Sequence, residues 1–305
     1  MKLRAKEIYT VCILFIVLII ILGIADIKKQ RVASLDTTSM KRHVVDIILS
    51  PHYDDAVLSL GGMIDAHTNK KVIATFFTSD SRGVSHTQWD TWSGFSNSLE
   101  LVRARAQENA NALSHFKDTN LVNYTYSDFQ YDNRTSSSSE SLRKNIVTDI
   151  NHLLTMYGDT EIHIYGPSYF GTRITHPDHA LLHSAFIELF KNTHNTHITF
   201  YLYEDFPYIN RYLKEVPNVQ LDTYIANSDG VDLHPYPVYL NQENVLHKND
   251  ALHEYVSQIR ALSRGVKSDI TTLDTIFNEQ RCSKDPIKPY ACEIVYELSH
   301  KIETR

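Results

Sequence analysis

The most concentrated chemistry in the chain lies in four residues, where one imidazole and two carboxylates occur together as His52, Asp54 and Asp55. An apolar run, residues 44–49, comes directly before them, and a predicted helix follows. Open α/β sheets build their sites on loops at the carboxyl ends of strands, so this segment has the setting of a functional site.

These side chains suit a divalent metal ion. His52 and Asp55 supply the nitrogen and oxygen donors that zinc and similar cations accept. A catalytic zinc takes three protein ligands and keeps one position for water. Asp54 would then be a spare carboxylate beside that water, where a general base is needed. The segment supplies two ligands and a base, so a third ligand must come from elsewhere.

The best source of that ligand is the sequence His176-Pro177-Asp178-His179. It also follows a strand-like run, residues 161–166, and Pro177 suits the first turn of a helix. One of the two histidines can bind the metal while the other polarises the substrate. His183, one turn further along, is a weaker candidate for either role.

The two segments together resemble the PIG-L / LmbE family of zinc-dependent de-N-acetylases, over roughly residues 43–265. The resemblance is carried by Pro-His-x-Asp-Asp at 51–55, by the glycine pair at 61–62 and by the later His-x-Asp-His. It implies a zinc ion, or another divalent metal, bound by His52, Asp55 and His179. It also implies Asp54 as the general base and His176 as the electrostatic partner of the transition state.

Four further residues are predicted to contact the substrate. Arg105 matches the family's Arg-x-x-Glu stretch, and Asp80 lies in a stretch after the second strand that is expected to line the pocket. Glu204 and Asp205 end a later strand, where they could hold substrate hydroxyls or orient a ligand histidine. The alternative for this pair is that they cap the next turn.

Strand-like and helix-like segments alternate along the chain, which predicts an α/β fold. The expected architecture is Rossmann-like, with a mostly parallel sheet and helices on both faces. Residues 61–62 should let their helix pack close to the sheet, whereas the serine-rich residues 135–140 are expected to form a loop tip. Trp89 and Trp92 fall in a predicted loop, where they either stack on a sugar ring or pin the loop to the body.

The ends of the chain carry their own predictions. Residues 8–25 are uncharged and mostly Ile, Leu and Val, which favours a single-pass membrane anchor over residues 1–26. A cleaved signal peptide is the alternative. Basic residues lie on both sides of this run, so the positive-inside rule does not decide the orientation of the anchor. For the catalytic domain, the extracytoplasmic side is favoured. Residues 27–42 read as a tether.

The C-terminal segment, residues 266–305, is expected to be a helical extension packed on the catalytic domain. Cys282 and Cys292 could form a disulfide, which would fit an oxidising compartment. The third cysteine, Cys12, lies in the apolar run and is not expected to bind metal.

Together with the apolar run of residues 8–25, the resemblance implies a membrane-tethered hydrolase that removes the N-acetyl group from an N-acetylated amino sugar or glycoconjugate and releases acetate. The net charge of −6 argues against a nucleic-acid partner, because such proteins carry a basic surface. Two alternatives stay open: a metal-dependent amidase acting on a non-sugar substrate, and a sugar-binding protein whose site is inactive.

Overall fold

A computed structural model describes residues 43–215, 229–264 and 291–300 of the chain. All of these except His43 belong to one compact unit, Val44–Arg305. Its centre is a seven-stranded sheet. The strands are β1 Val44–Ser50, β2 Lys70–Ser79, β3 Thr119–Ser127, β4 Glu161–Pro167, β5 Ile198–Tyr203, β6 Asp232–Leu240 and β7 Ala291–Ser299.

Helices connect and cover the strands. They are α1 Asp55–Ala66, α2 Gln88–Ser93, α3 Ser98–Leu113, α4 Ser136–Thr155, α5 Pro177–Asn192, α6 Tyr208–Glu215, α7 Gln242–His253 and α8 Val256–Leu262, with a short 3₁₀ helix at Phe129–Tyr131. Each of the first two parallel crossovers runs through a helix, as the alternation in the sequence predicted.

The strand order is β3-β2-β1-β4-β5-β7-β6. The first five strands are parallel, whereas β7 runs antiparallel to β5 and β6 runs antiparallel to β7. The chain moves outward from β1 to β3 and then returns to place β4 on the other side of β1. A crevice opens where the order reverses, and ligands of open α/β sheets bind at the carboxyl ends of strands flanking such a point. The predicted α/β sheet with a mostly parallel core is therefore confirmed.

The sequence of β1 explains its central position. Residues 45–50 are all buried, and a continuous apolar run is what a strand covered on both faces requires. The same holds for β2, in which residues 71–78 are buried. Helix α1 is buried over residues 55–64, so it is packed between the sheet and an outer helix, α7, and is not a surface helix.

The prediction of helices at the C-terminus is wrong for the part of that segment that the structure describes. Residues 291–299 form β7, inserted between β5 and β6, where Val295 is paired with both Tyr203 and Tyr236. The segment is short and rich in apolar residues, and such a run does not distinguish strand from helix by its period. Pairing with strands far away in the sequence decides it, and the domain extends past residue 265.

Two local predictions also need correction. The serine-rich residues 136–140 begin α4 and do not form a loop tip. Thr135 and Ser138 form a capping box, in which each side chain accepts a hydrogen bond from the other's backbone N–H, so the serines start the helix. The sequence of residues 244–264 predicts one helix, whereas the structure has two in this region, α7 and α8.

Several predictions concern residues outside the described ranges. The anchor of residues 1–26, the tether of residues 27–42 and the cysteine at position 282 are among them. Cys292 is buried and disulfide-bonded, with its partner also outside the described residues. Within 43–215, 229–264 and 291–300, the structure has no helix that is both long and apolar enough to cross a membrane.

Candidate active site

Two loops carry the site residues to the same point at the carboxyl edge of the sheet. His52 follows β1 directly, and His176 and His179 follow β4 after a loop. Because β1 and β4 are parallel neighbours, their carboxyl ends lie side by side. The strand order therefore brings together two motifs that are more than a hundred residues apart in the sequence.

Three donor atoms meet between these loops. His52 Nδ1 is 3.2 Å from Asp55 Oδ2, His179 Nε2 is 3.1 Å from the same oxygen, and the two ring nitrogens are 3.2 Å apart. Ligand atoms placed about 2.0–2.1 Å from a tetrahedral zinc lie about 3.3 Å from one another. The triangle formed by these two nitrogens and one oxygen therefore has the dimensions of one face of a tetrahedral metal site.

The opposite nitrogen of each ring is held by a second carboxylate. His52 Nε2 lies 3.0 Å from Asp178 Oδ2, and His179 Nδ1 lies 2.6 Å from Asp205 Oδ2. When each carboxylate accepts a ring N–H, the nitrogen that faces Asp55 carries the lone pair. This is the tautomer that a metal ligand needs, so the donor set fits a divalent cation.

Asp55 is fixed by its own position at the start of α1. Its Oδ2 accepts the backbone N–H of His52 at 2.7 Å, so the loop and the helix hold each other. Asp178 has a similar place at the start of α5, where it also accepts the N–H of Phe129 at 2.9 Å and pairs with Arg134. Both carboxylates are buried and have their positions set by the backbone.

Asp54 lies beside the triangle and not in it. Its Oδ1 is 3.3 Å from Arg105 Nη2, and the other terminal nitrogen of Arg105 is 3.3 Å from Asp128 Oδ2. Burial and the neighbouring Asp55 raise the pKa of Asp54, while the Arg105 guanidinium opposes the rise. A buried carboxylate with a raised pKa and a wall position in the pocket can accept a proton from water and give it up again.

His176 faces the same space from the N-terminus of α5. Its Nδ1 accepts the backbone N–H of Asp178 at 3.3 Å, as the N-cap of that helix. Nε2 must then carry the proton of the neutral ring. Burial and the nearby His52 ring lower the pKa of His176 to about 4, so at neutral pH it is an uncharged hydrogen-bond donor.

These groups line one pocket with an empty volume of about 610 Å³ including its mouth. The polar part of its wall comes from His52, Asp54, Asp55, Arg105, Asp128, Gln130, His176 and Gln258, and the apolar part from Leu58, Trp89, Pro207, Tyr208 and Leu262. A pocket with one apolar wall and a few convergent polar groups is typical of a small-molecule site.

The predicted substrate contacts divide into two groups. Arg105 lines the pocket, and Asp205 lies behind His179 as the orienting carboxylate. Asp80 and Glu204 are not among the described residues that line the pocket. Asp80 instead accepts a hydrogen bond from Ser98 at 2.6 Å, and Glu204 accepts one from Tyr296 of β7 at 2.8 Å. Both hold elements together.

Trp89 and Trp92 also differ in their position relative to the pocket. Trp89 lies in the pocket wall, and its Nε1 donates to Gln258 Oε1 at 3.3 Å. Trp92 packs edge-on against Trp89 and lies under the Arg264 guanidinium, and it is not one of the pocket's described residues. One tryptophan therefore faces the pocket and the other supports it.

Sequence reasoning gave no role to two important carboxylates. Asp178 lies inside the His-x-Asp-His motif, and its position between two histidines could have indicated a functional role. Asp128 follows β3 directly, so the rule that led to His52 would have led to it as well. The predicted weaker candidate, His183, is turned away and contacts the carbonyl of Pro167 and the carboxylate of Asp229.

Comparison with known proteins agrees with this geometry. The family described as PIG-L, GlcNAc-PI de-N-acetylase, matches residues 47–190, which include both motifs. No curated protein matches the chain by sequence.

Several solved structures share the fold. The zinc-inhibited form of teicoplanin deacetylase Orf2 is 20% identical with a TM-score of 0.67, covering 85% of this chain and 100% of that one. Dbv21, the pseudoaglycone deacetylase of the antimicrobial reagent A40926, is 20% identical with a TM-score of 0.66, covering 86% of this chain and 99% of that one. The N,N'-diacetylchitobiose deacetylase of Pyrococcus horikoshii is 15% identical with a TM-score of 0.50, covering 85% of each chain.

Proposed function

We propose, from the premise that this chain is a member of the PIG-L family of de-N-acetylases, that it is a zinc-dependent hydrolase of N-acetylated amino sugars or their glycoconjugates. Its products would be acetate and the free amine. The observation that carries this proposal is the meeting of three metal-donor atoms, at 3.1–3.2 Å from one another, two of which belong to residues, His52 and Asp55, that line the same pocket as Asp54 and His176.

His52, Asp55 and His179 would hold the metal. Once bound there, a zinc ion would polarise the acetamide carbonyl and lower the pKa of water at the site. The chain's own contribution is to orient the two rings through Asp178 and Asp205, which also make the facing nitrogens stronger donors, and to exclude bulk solvent from three buried ligands.

Asp54 is the proposed general base. Its carboxylate lies in the pocket wall, next to the triangle, and takes a proton from the attacking water. The same carboxyl group then gives that proton to the leaving amine nitrogen, which would otherwise depart as an anion. Arg105 fixes the orientation of Asp54 through Oδ1, so the other carboxylate oxygen is left for proton transfer.

His176 is the proposed stabiliser of the oxyanion that forms when water attacks the carbonyl carbon. Its Nδ1 is occupied by the N–H of Asp178, so the Nε2 proton is the one available to the oxyanion. A neutral imidazole is sufficient here, because it needs only to donate a hydrogen bond to an oxygen that gains negative charge.

The walls of the pocket support a sugar as the substrate. Trp89 and Tyr208 bring aromatic rings to the wall, a residue type on which a pyranose can stack, and Asp128, Gln130 and Gln258 offer polar groups to hydroxyls. The solved structures that share the fold include a deacetylase of N,N'-diacetylchitobiose, whose substrate is an N-acetylated sugar. That similarity favours an N-acetylated sugar here as well.

The test is acetate release by the full chain, loaded with zinc, from a panel of N-acetylated sugars, oligosaccharides and lipid-linked forms, with simple acetamides included. The matched variant is Asp54→Ala, which keeps all three proposed ligands. We expect one class of sugar to release acetate and the variant to lose at least about 100-fold in rate. Full activity of the variant would refute the role of Asp54. Acetate release from simple acetamides only would show that the substrate is a non-sugar amide.

We also propose that residues 1–26 anchor the protein in a membrane with the catalytic domain on the extracytoplasmic side. The support is the uncharged apolar run of residues 8–25. Extraction of membranes with alkaline carbonate tests it: the full chain should stay with the membrane, and a chain lacking residues 1–26 should not. A mature N-terminus located after residue 25 would show a cleaved signal peptide instead.

A further inference from the structure

Helix α1, which begins with the proposed ligand Asp55, is broken in its middle. Leu60 has φ −132° and ψ 15°, outside the helical region, although the residues on either side are helical. A break of this kind separates backbone groups that would otherwise pair. In an unbroken helix the N–H of Gly62 donates to the carbonyl of Leu58, four residues earlier.

A buried ion pair occupies this break. Glu293 of β7 accepts the N–H of Gly62 at 3.0 Å through Oε1 and that of Met63 at 2.7 Å through Oε2. Lys248 of α7 donates from Nζ to the carbonyl of Leu58 at 2.8 Å and to Glu293 Oε1 at 2.8 Å. The carbonyl is thus satisfied by a cation and the N–H groups by an anion, each at the helix end whose dipole it complements.

The glycine pair makes room for this insertion. A Cβ on Gly61 would come within 2.7 Å of Lys248 Cγ, and one on Gly62 would overlap Leu240 and lie 3.2 Å from Glu293 Oε1. Both charged side chains are buried, with relative exposures of 1% for Lys248 and 3% for Glu293. Such a pair is costly to bury, so a break in which it bonds the N–H groups of Gly62 and Met63 and the carbonyl of Leu58 is a defined element of the fold.

The break divides α1 into a first half, which begins with the proposed metal ligand Asp55, and a second half that follows Leu60. Asp55 is about five residues before Leu60, which is about 7.5 Å of helix. Just before the break, Ser59 Oγ accepts the backbone N–H of Phe206 at 3.1 Å. Phe206 adjoins Asp205, the carboxylate that orients His179. The first half of α1 therefore connects the proposed ligand Asp55 to the loop whose Asp205 orients the proposed ligand His179.

We propose that the Lys248–Glu293 pair is a positioning device for the metal site: inserted in the α1 break, it sets the direction of the first half of that helix and so the place of Asp55 relative to His52 and His179. This inference rests on the proposed metal-dependent function. Neither residue touches the pocket among the described residues, so their effect on the site must pass through the helix.

The test compares Lys248→Met and Glu293→Gln with the wild type and with Asp46→Asn. Asp46 is an equally buried carboxylate, bonded to His67 and Asn69 at the opposite end of β1 from His52. The double variant Lys248→Met/Glu293→Met leaves no unpaired buried charge and serves if a single variant does not fold. Each full-length protein is measured without metal for thermal stability and for hydrogen exchange of the α1 amides, and then for zinc affinity against a competing chelator.

We expect the pair variants to bind zinc on the order of 10-fold more weakly, with faster exchange at Gly62 and Met63, whereas Asp46→Asn loses stability and keeps its zinc affinity. Zinc affinities of the pair variants within twofold of the wild type would overturn the inference and leave the proposed function intact. Failure of the wild type to bind zinc would overturn both.

Discussion

The carboxylate behind His179 gives the sharpest test of how the site is assembled. Asp205 and His179 are both fully buried, and Oδ2 lies 2.6 Å from Nδ1. In Asp205→Asn the amide oxygen can still accept the ring N–H, so the tautomer is kept and only the charge is lost. Loss of such an outer partner lowers metal affinity by about 10–100-fold, which corresponds to about 1.4–2.7 kcal/mol.

The assay is zinc competition with a fluorescent chelator at neutral pH, with thermal melting of the metal-free protein measured in parallel. The matched control is Glu204→Gln, the neighbouring residue, whose carboxylate accepts a hydrogen bond from Tyr296 of β7. We expect Glu204→Gln to keep its zinc affinity. Wild-type affinity in Asp205→Asn, or an equal loss in the control, would refute the role assigned to the Asp205–His179 contact.

Three further predictions follow from the same geometry. Arg105→Lys removes the planar guanidinium that bonds both Asp54 and Asp128, so the rate of acetate release should fall at least about 10-fold while zinc affinity stays unchanged. A loss of zinc affinity of about 10-fold in this variant would contradict the prediction. Burial alone would raise the pKa of Asp46, but hydrogen bonds from His163, His67 and Asn69 lower it to about 2. Since the pKa of Asp46 in the folded protein lies below its ordinary value of 3.8, the carboxylate stabilises the fold by about 2 kcal/mol above pH 4, and this contribution is lost as pH falls toward 2. Urea unfolding should therefore show a gap between the wild type and Asp46→Asn that narrows below pH 4, and a constant gap would count against it. Gly62→Ala should lower the free energy of unfolding by about 1–3 kcal/mol, because its Cβ overlaps Leu240, whereas Ala at the open position Gly83 has no such overlap and meets only the strain of its φ of +90°.

The motifs and the central fold could be predicted from the sequence because their causes are local. An apolar run followed by His52, Asp54 and Asp55 identifies a strand and the loop after it, and alternation of such units indicates a parallel sheet. The glycine pair was predicted to let its helix pack close to the sheet. Gly62 does so against Leu240 of β6, whereas Gly61 lies close to Lys248 of α7, and neither position has room for a Cβ.

What the sequence left open depends on contacts between distant segments. Asp205 orients His179 and Glu204 does not, because successive side chains at the end of β5 point to opposite sides. One carboxylate therefore reaches His179 and its neighbour reaches Tyr296. The separation of Trp89 from Trp92 likewise depends on how α2 packs against α8.

By itself the sequence determined which residues can do chemistry, since residue type and spacing around His52 and His176 are written in it directly. Tertiary structure decided which of them meet. Only the placing of β4 beside β1 brings the donor nitrogens of His52 and His179 to 3.2 Å, and only the insertion of β7 into the sheet puts Glu293 at the break in α1. The physical reason is that strand order and pairing are settled by burial and hydrogen bonding between segments far apart in the chain, which no local pattern records.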